Sequence, residues 1–272
     1  MNVLMIGAGN MGSTYAEGMS KSTLLNEKKL QIFDKDPERL RAVQERGILE
    51  SFYKLEDCLP NADIVFIAVK PDHIEGLFEE MKPMIDEKQM FVSLMAGVKL
   101  DTILKGLGIK KAVRTMPNLP AQIGKGVTSY TASKDVSRLE LIMVRSFLDK
   151  TGKSIHVENE NFIDASTGIS GSGPAYVFYF MQSMLEAAKK MGFSDYDSHV
   201  LVSSTFEGAV QLFNDSNITP KKWMERVASK GGTTRAALDF MTENHVEDLI
   251  KDAAYAAFNR AVELGKNQST PK

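Results

Sequence analysis

The sequence has little of what disulfide-bonded, membrane-spanning or nucleic-acid-binding proteins carry. Cys58 is the single cysteine among 272 residues, which excludes an internal disulfide framework and fits a reducing compartment. No apolar run reaches the roughly 18–20 residues of a membrane helix. The net charge of −2 provides no basic field for nucleic acid. The histidines are scattered without metal-ligand spacing, so we expect no metal site; they are His73, His156, His199 and His245.

The first residues predict a strand and not a secretion signal. Met1–Ile6 is short, lacks a charged front and a long apolar middle, and runs directly into glycines. We therefore expect a cytoplasmic protein without a membrane partner. With 43% hydrophobic and 25% charged residues, the chain is expected to fold as one large or two modest globular domains.

Residues 1–160 alternate strand and helix signals. Apolar and β-branched runs predict strands over Val3–Ile6, Leu30–Phe33, Ile64–Val69, Met90–Leu94, Ala112–Thr115, Thr128–Thr131 and Ser154–His156. Between the early strands, Asp36-Pro37-Glu38 is typical of a helix start. This repetition predicts an α/β domain with a Rossmann-like, doubly wound parallel sheet.

Residues 161–272 predict an all-α domain. Ser172-Gly173-Pro174 offers a cap and a first-turn proline for a helix to about Met191. Further helices are predicted over about Asp195–Phe213, after Thr219-Pro220, over about Thr233–Met241 and over about Val246–Leu264. The apolar stripe of the first helix is too wide for a helix with one solvent-exposed face. Either a second copy of the chain covers it, giving a homodimer, or the helices build a deep core.

The segment Gly7-Ala8-Gly9-Asn10-Met11-Gly12 has the pattern GxGxxG between a predicted strand and a predicted helix over Ser13–Ser20. In that setting Gly7 allows a tight turn, Gly9 lets the backbone approach a pyrophosphate, and Gly12 lets the helix pack on the strand. The helix N-terminus then offers free N–H groups to the phosphates. The pattern predicts a nicotinamide dinucleotide site; the alternative is a glycine turn without a ligand.

Asp34 directly follows the second predicted strand, 22 residues after Gly12, where an acid can bind both ribose hydroxyls of NAD and repel a 2′-phosphate. Lys35 and Arg39 follow closely and could neutralise such a phosphate. We expect NADPH or NADH as cofactor, with Asp34 shifting the preference toward NADH. The alternative is that Asp34 only begins the turn to Pro37.

Further segments match one family in order. They are Ala68-Val69-Lys70-Pro71, the segments 93–98 (SLMAGV) and 114–120 (RTMPNLP), the junction 169–176 (ISGSGPAY) and the segment 227–234 (VASKGGTT). With the glycine loop they resemble the pyrroline-5-carboxylate reductase family over nearly the whole chain. The resemblance implies a Rossmann domain, a helical dimerisation domain, and dimers that sometimes build larger rings. It also implies reduction of 1-pyrroline-5-carboxylate to L-proline by NADPH or NADH, the last step of proline biosynthesis.

The cofactor site expected from the resemblance extends beyond the glycine loop and Asp34. The added residues are Ala68, Val69, Lys70, Pro71, Ala96, Gly97 and Asn118. Lys70 and Asn118 follow strands at the carboxyl edge of the sheet, where such folds bind ligands. Lys70 could also be only a solvated lysine.

The expected substrate site lies before the helix that starts near Thr233. Ser229, Gly231 and Gly232 form a turn that can present N–H groups and a positive helix end to a carboxylate. Thr233 and Ser172 complete the expected substrate-binding set. The resemblance assigns Thr234 a hydrogen bond to the ring nitrogen, which makes it the catalytic candidate. Without the resemblance, Gly231–Thr234 would be interpreted as a simple helix cap.

Two departures from the family pattern affect the expected substrate contacts. The family often has Ser-Pro-Gly-Gly where this chain has Ser229-Lys230-Gly231-Gly232, and it usually has threonine at the position of Leu119. The chemistry needs little beyond orientation, because a protonated cyclic imine accepts hydride without a histidine or carboxylate acid.

Other functions stay open at this point. A related 3-hydroxyacid dehydrogenase or imine reductase usually places a catalytic lysine or acid on the long interdomain helix, whereas Lys189 and Lys190 come late in this one. A non-catalytic dinucleotide sensor would not need the segment Ser229–Thr234. A hydrolase is excluded, because Ser172 stands where the G-x-S-x-G pattern around Ser170 requires glycine.

Overall fold

The computed structural model describes residues 1–22, 25, 30–46 and 50–267. The chain divides into two compact units. The first unit is α/β and consists of residues 1–172 with the segment from Ala256 onward; the second is all-α and spans Gly173–Tyr255. The end of the last helix therefore groups with the α/β unit. The expected domain ranges, 1–160 and 161–272, stay a prediction.

An eight-stranded sheet forms the centre of the first unit. Its strands are β1 (Val3–Ile6), β2 (Leu30–Phe33), β3 (Glu50–Phe52), β4 (Ile64–Ile67), β5 (Met90–Ser93), β6 (Ala112–Met116), β7 (Gly126–Ala132) and β8 (Gly152–His156). The strand order is β3-β2-β1-β4-β5-β6-β7-β8. The first six strands are parallel, whereas β7 runs antiparallel to β6 and parallel to β8. The order of the first six is that of a Rossmann sheet.

Helices bury both faces of the sheet. They are α1 (Asn10–Ser20), α2 (Pro37–Glu45), α3 (Ile74–Met81), α4 (Leu100–Leu107) and α5 (Arg138–Leu148). Alternate residues of β1 enter different cores: Val3 and Met5 pack with α1, α2 and α5, while Leu4 and Ile6 pack with α3 and α4. The predicted doubly wound α/β architecture is confirmed. Burial on both faces explains why these strands are almost wholly apolar.

Each predicted strand is present, and one further strand was missed. β3 is three residues long and half-buried at the sheet edge, so it carries neither an apolar run nor an alternating pattern. β4 ends at Ile67, two residues before the predicted end at Val69. At Ala68 the N–H still donates to the Ile6 carbonyl at 2.8 Å, and the chain then turns into the segment that ends at Pro71.

Residues 161–171, which precede the long helix, are helical. Asn161–Ser166 forms α6, and Thr167–Gly171 forms a π-helical turn in which the Ser172 N–H donates to the Thr167 carbonyl at 2.8 Å. The expectation that Ser172 caps a new helix was wrong, because its backbone is already helical. Single π-helical turns of this kind occur frequently at functional sites.

The remaining helices are α7 (Gly173–Lys190), α8 (Asp195–Asn214), α9 (Pro220–Val227), α10 (Thr233–Glu243) and α11 (Val246–Asn267). The predicted cap at Thr219 is confirmed, since its side chain accepts a hydrogen bond from the Lys222 N–H. None of the described helices combines the length and apolarity needed to cross a membrane.

Much of the apolar surface in the second unit is exposed. Among the 18 residues of α7, a single residue, Ala188, is buried. Exposed apolar side chains include Phe178, Tyr179, Met184, Val210, Leu212, Phe213 and Phe240. A single copy of this unit therefore does not form the deep core that was the alternative to dimerisation. So many exposed apolar side chains are typical of a unit that interacts with a partner.

Cys58 is part of the core on the α3 side of the sheet. Burial raises the pKa of its thiol to about 12, so the thiol stays protonated at neutral pH.

A buried ion cluster ties β6 to α4 and α6. The Arg114 side chain is 1% exposed; its Nη1 donates to Glu160 Oε1 at 2.9 Å and its Nη2 to Asp164 Oδ1 at 2.5 Å. Glu160 Oε1 also accepts the N–H of Leu100, the first residue of α4, at 2.7 Å. Arg114 Nε is buried without a hydrogen-bond partner among the described residues. The sequence analysis missed this cluster, although a charged residue inside the apolar strand Ala112–Met116 is the signal for it.

We expect Arg114→Ala to destabilise the fold by about 3–5 kcal/mol, because it leaves buried negative charge without its partner. Lys105→Ala is the control, since it removes only an exposed ion pair with Asp101 on α4, which contributes little. Urea denaturation measures both free energies of unfolding. Equal losses in the two variants would contradict the structural role of the cluster.

Candidate active site

The glycine loop connects β1 to α1 with very little free space. Gly7 has a φ of +101°, and a Cβ on it would lie 2.7 Å from the Ala68 carbonyl oxygen. A Cβ on Gly12 would lie 1.8 Å from the Gly7 carbonyl oxygen. Any other residue at either position would push α1 away from β1 and β4. Both positions therefore require glycine, in agreement with the roles predicted for them.

Gly9 differs from the two packed glycines. A Cβ on Gly9 would meet no atom within 4 Å, so the space above it is open. Gly9 is also the N-cap residue of α1, and no side chain caps that helix end. An uncapped helix N-terminus below open space is what close approach of a phosphate to the backbone requires.

A cleft of about 820 Å³ lies at the carboxyl edge of the sheet, where the strand order changes direction. It brings together most of the predicted cofactor residues: Gly7, Gly9, Asn10, Met11, Asp34, Ala68, Val69, Lys70, Pro71 and Ala96. Lys35 and Arg39 also line it, as do residues that the sequence analysis did not select, among them His73, Gly76 and Leu77 at the start of α3. No residue pattern marked the start of α3 as part of a site.

Four predicted cofactor residues lie beside the cleft and not on its wall. Ala8 and Gly12 are buried beneath the glycine loop. Gly97 has a φ of +75°, and a Cβ there would lie 3.3 Å from the Cβ of Leu264 in α11. Asn118 uses its amide on the backbone: Nδ2 donates to the Ser170 carbonyl at 3.1 Å, and Oδ1 accepts the Val127 N–H at 2.9 Å. A direct contact between Asn118 and the cofactor stays a prediction.

Asp34 lines the cleft and also begins a turn, and its contact with a ribose stays a prediction. Its side chain is 10% exposed, and it lines the cleft. Oδ2 accepts the Ala8 N–H at 2.7 Å, and Oδ1 accepts the Asp36 N–H at 2.9 Å. The carboxylate therefore begins the turn after β2 and also anchors the glycine loop.

The substrate-site residues expected in the second unit form one turn between α9 and α10. Gly231 has a φ of +74°, and Gly232 is the N-cap of α10 without a side-chain cap. The Gly232 N–H donates to the Ser229 carbonyl at 3.0 Å, and a Cβ on Gly232 would lie 2.5 Å from Ser229 Oγ. Ser229, Gly231 and Thr233 are exposed, and Thr234 is half-buried. The turn thus places a hydroxyl beside an uncapped helix N-terminus.

The sheet order, the glycine loop and the cleft define a dinucleotide-binding oxidoreductase fold with an added all-α unit. Residues 160–264 match the family model described as pyrroline-5-carboxylate reductase dimerisation, and residues 2–97 match the one described as NADP oxidoreductase coenzyme F420-dependent.

The similar proteins cover nearly the whole chain. The pyrroline-5-carboxylate reductase of Pseudomonas aeruginosa is 30% identical over 97% of this chain and 97% of its own length. The solved structure of a pyrroline-5-carboxylate reductase from Coxiella burnetii superposes with a TM-score of 0.89 and 30% identity, covering 97% of this chain and 98% of the other. The NADP-bound pyrroline carboxylate reductase of Plasmodium falciparum has a TM-score of 0.87 and 26% identity, with the same coverage. This chain belongs to the pyrroline-5-carboxylate reductase family.

We expect Gly9→Ala to fold normally and to bind NADH at least about tenfold more weakly, because its methyl group occupies the space that a phosphate needs. Gly12→Ala should instead lower the melting temperature, since its methyl group collides with the Gly7 carbonyl. Thermal melting and a fluorescence titration with NADH separate the two effects. Parent-like NADH affinity in Gly9→Ala would show that the dinucleotide does not approach this loop.

Proposed function

We propose that this chain reduces 1-pyrroline-5-carboxylate to L-proline with NADH or NADPH, as a pyrroline-5-carboxylate reductase in proline biosynthesis. The observation that carries this proposal is full-length likeness to reductases of that name, at 30% identity and a TM-score of 0.89. That likeness includes the segment 160–264, which contains the Ser229–Thr234 turn.

The cleft of the first unit fits a nicotinamide dinucleotide. The open space above Gly9, the uncapped N-terminus of α1 and the acid at Asp34 are the features that a pyrophosphate and a ribose require. Lys70, Pro71 and Ala96 would line the nicotinamide end. When bound, the cofactor supplies a hydride to the imine carbon. NADP in the Plasmodium falciparum relative supports this assignment.

The turn before α10 would hold the substrate by its carboxylate. The Ser229 hydroxyl and the Gly231 N–H can donate to carboxylate oxygens, and the positive end of α10 favours the negative charge. The Gly232 N–H donates to the Ser229 carbonyl, so Gly232 contributes by shaping the turn and by leaving the helix end uncapped. Thr234 would hold the ring nitrogen through its hydroxyl. Thr233 and Ser172 are the further substrate contacts that we propose. Their common role is orientation, because the protonated imine carbon is already electrophilic.

The rival dehydrogenase mechanism is less well supported. The lysines of α7 come late in the helix, and Lys189 Nζ pairs with Asp195 Oδ1 at 2.7 Å. A 3-hydroxyisobutyrate dehydrogenase from Mycobacterium tuberculosis superposes with a TM-score of 0.53 at 14% identity, which is a likeness of fold alone.

We also propose that the chain acts as a homodimer through its helical unit. The exposed apolar side chains of α7, α8 and α10 and the match to a dimerisation family support this assembly. Larger rings built from dimers and a cytoplasmic location stay predictions.

An assay with 1-pyrroline-5-carboxylate tests the reaction and the substrate turn together. Ser229→Ala should mainly raise KM, and Thr234→Ala should mainly lower kcat, each by roughly tenfold to a hundredfold, which corresponds to about 1.5–3 kcal/mol for a hydrogen bond to a charged group. Thr242→Ala is the control, because its hydroxyl bonds to the Leu238 carbonyl within α10. Activity in the parent with unchanged kcat/KM in both site variants would refute the site while leaving the reaction intact.

The cofactor preference depends on Asp34. A carboxylate near a 2′-phosphate costs up to about 4 kcal/mol per pair of unit charges at 4 Å and an effective dielectric constant of 20. We therefore expect use of both cofactors, with a preference shifted toward NADH. Asp34→Ser should shift the kcat/KM ratio toward NADPH about tenfold, or about 1.4 kcal/mol. The control is Asp72→Ser, which changes an exposed acid outside the cleft wall. An unchanged kcat/KM ratio in Asp34→Ser would show that Asp34 does not face the ribose.

A further inference from the structure

An ion pair connects two segments that contribute to the cofactor cleft. Lys35, in the turn after β2, lines the cleft, and its Nζ lies 2.6 Å from Oε2 of Glu80 in α3. The two side chains are 69% and 36% exposed, so the pair lies at the surface. The ion pair therefore joins the turn that follows Asp34 to α3.

Glu80 does not line the cleft itself, but it lies on α3, which contributes to the cleft wall. Gly76 and Leu77 of the same helix line the cleft. Glu80 follows them by four and three residues, which places it on their face of the helix. Its neighbour Glu79 lies about 100° further round the helix axis. Helix geometry therefore distinguishes two adjacent glutamates of the same charge and length.

The other cation beside Asp34 is also engaged by carboxylates. Arg39 lines the cleft, with its Nε 3.2 Å from Asp36 Oδ2 and its Nη1 3.7 Å from Asp34 Oδ2. Together, Asp34, Asp36 and Glu80 give three negative charges against the two positive charges of Lys35 and Arg39. This group of five side chains at and beside the cleft is thus negative overall, which suits two ribose hydroxyls better than a phosphate.

We propose that Glu80 is a specificity-determining residue that disfavours NADPH by holding Lys35 in an ion pair. The inference rests on the proposed function, because it requires the dinucleotide to bind in this cleft. For Lys35 to reach a 2′-phosphate, it must leave Glu80, and an unpaired carboxylate then remains near the phosphate. NADH places no charge there and leaves the pair intact. Lys35 is the cation that can be released, since one carboxylate holds it whereas two hold Arg39.

The test is a fluorescence titration of the full chain with NADPH and with NADH, which measures binding without turnover. Glu80→Gln should tighten NADPH binding about three- to tenfold, because a freed Lys35 can pair with the phosphate. Its NADH affinity should stay within about twofold of the parent, since NADH has no charge at that position. Glu79→Gln is the matched control and should change neither affinity. The fold should survive both changes, because exposed ion pairs contribute little to stability.

A double variant, Lys35→Met with Glu80→Gln, identifies the source of the gain. If Glu80 acts by holding Lys35, the improved NADPH affinity disappears in the double variant. The proposal is wrong if the double variant keeps the improved NADPH affinity, or if Glu80→Gln binds both dinucleotides more tightly by the same factor. It is also wrong if Glu80→Gln has the same affinities as Glu79→Gln while the parent binds NADH. A parent chain that binds neither dinucleotide would overturn the proposed function together with this inference.

Discussion

The cofactor cleft depends on the close approach of backbone segments where α1 crosses β1 and β4. Gly7 and Gly12 make this approach possible, since a single added carbon at Gly12 would lie 1.8 Å from a carbonyl oxygen. The Asp34 carboxylate then joins β2 to the same crossing through the Ala8 N–H. These contacts bring the ends of β1, β2 and β4 together beside the start of α1. The uncapped N-terminus of α1 at Gly9 then faces open space, which can receive a phosphate.

Charge at the same cleft follows from how side chains pair and not from their number. Lys35 and Arg39 follow Asp34 closely in sequence, which suggested neutralisation of a 2′-phosphate. In the structure, carboxylates from α3 and from the turn itself already neutralise them. An ion pair in place leaves less charge for a ligand, because the ligand must compete with the existing partner. The proposed cofactor preference therefore depends on these ion pairs as well as on Asp34.

Sequence reasoning succeeded where local pattern and local structure coincide. The apolar strands, the glycine loop and the capped helix at Thr219 each carry their signal within a few residues. It failed where the deciding partner is distant. β3 is a short edge strand without an apolar run. Ser172 follows a π-helical turn and has helical backbone angles. The buried Arg114 pairs with carboxylates 46 and 50 residues away in sequence.

By itself, the sequence determined the α/β sheet with its glycine loop, the helical second half and the family, because apolar periodicity and short motifs are local properties of the chain. Only the tertiary structure decided which residues share the cleft. His73, Gly76 and Leu77 join Asp34 there, while the Asn118 amide is committed to the backbone of Ser170 and Val127. The physical reason is that a parallel sheet brings strand ends together that lie far apart in sequence, so side-chain partners at its carboxyl edge are chosen by strand order and packing.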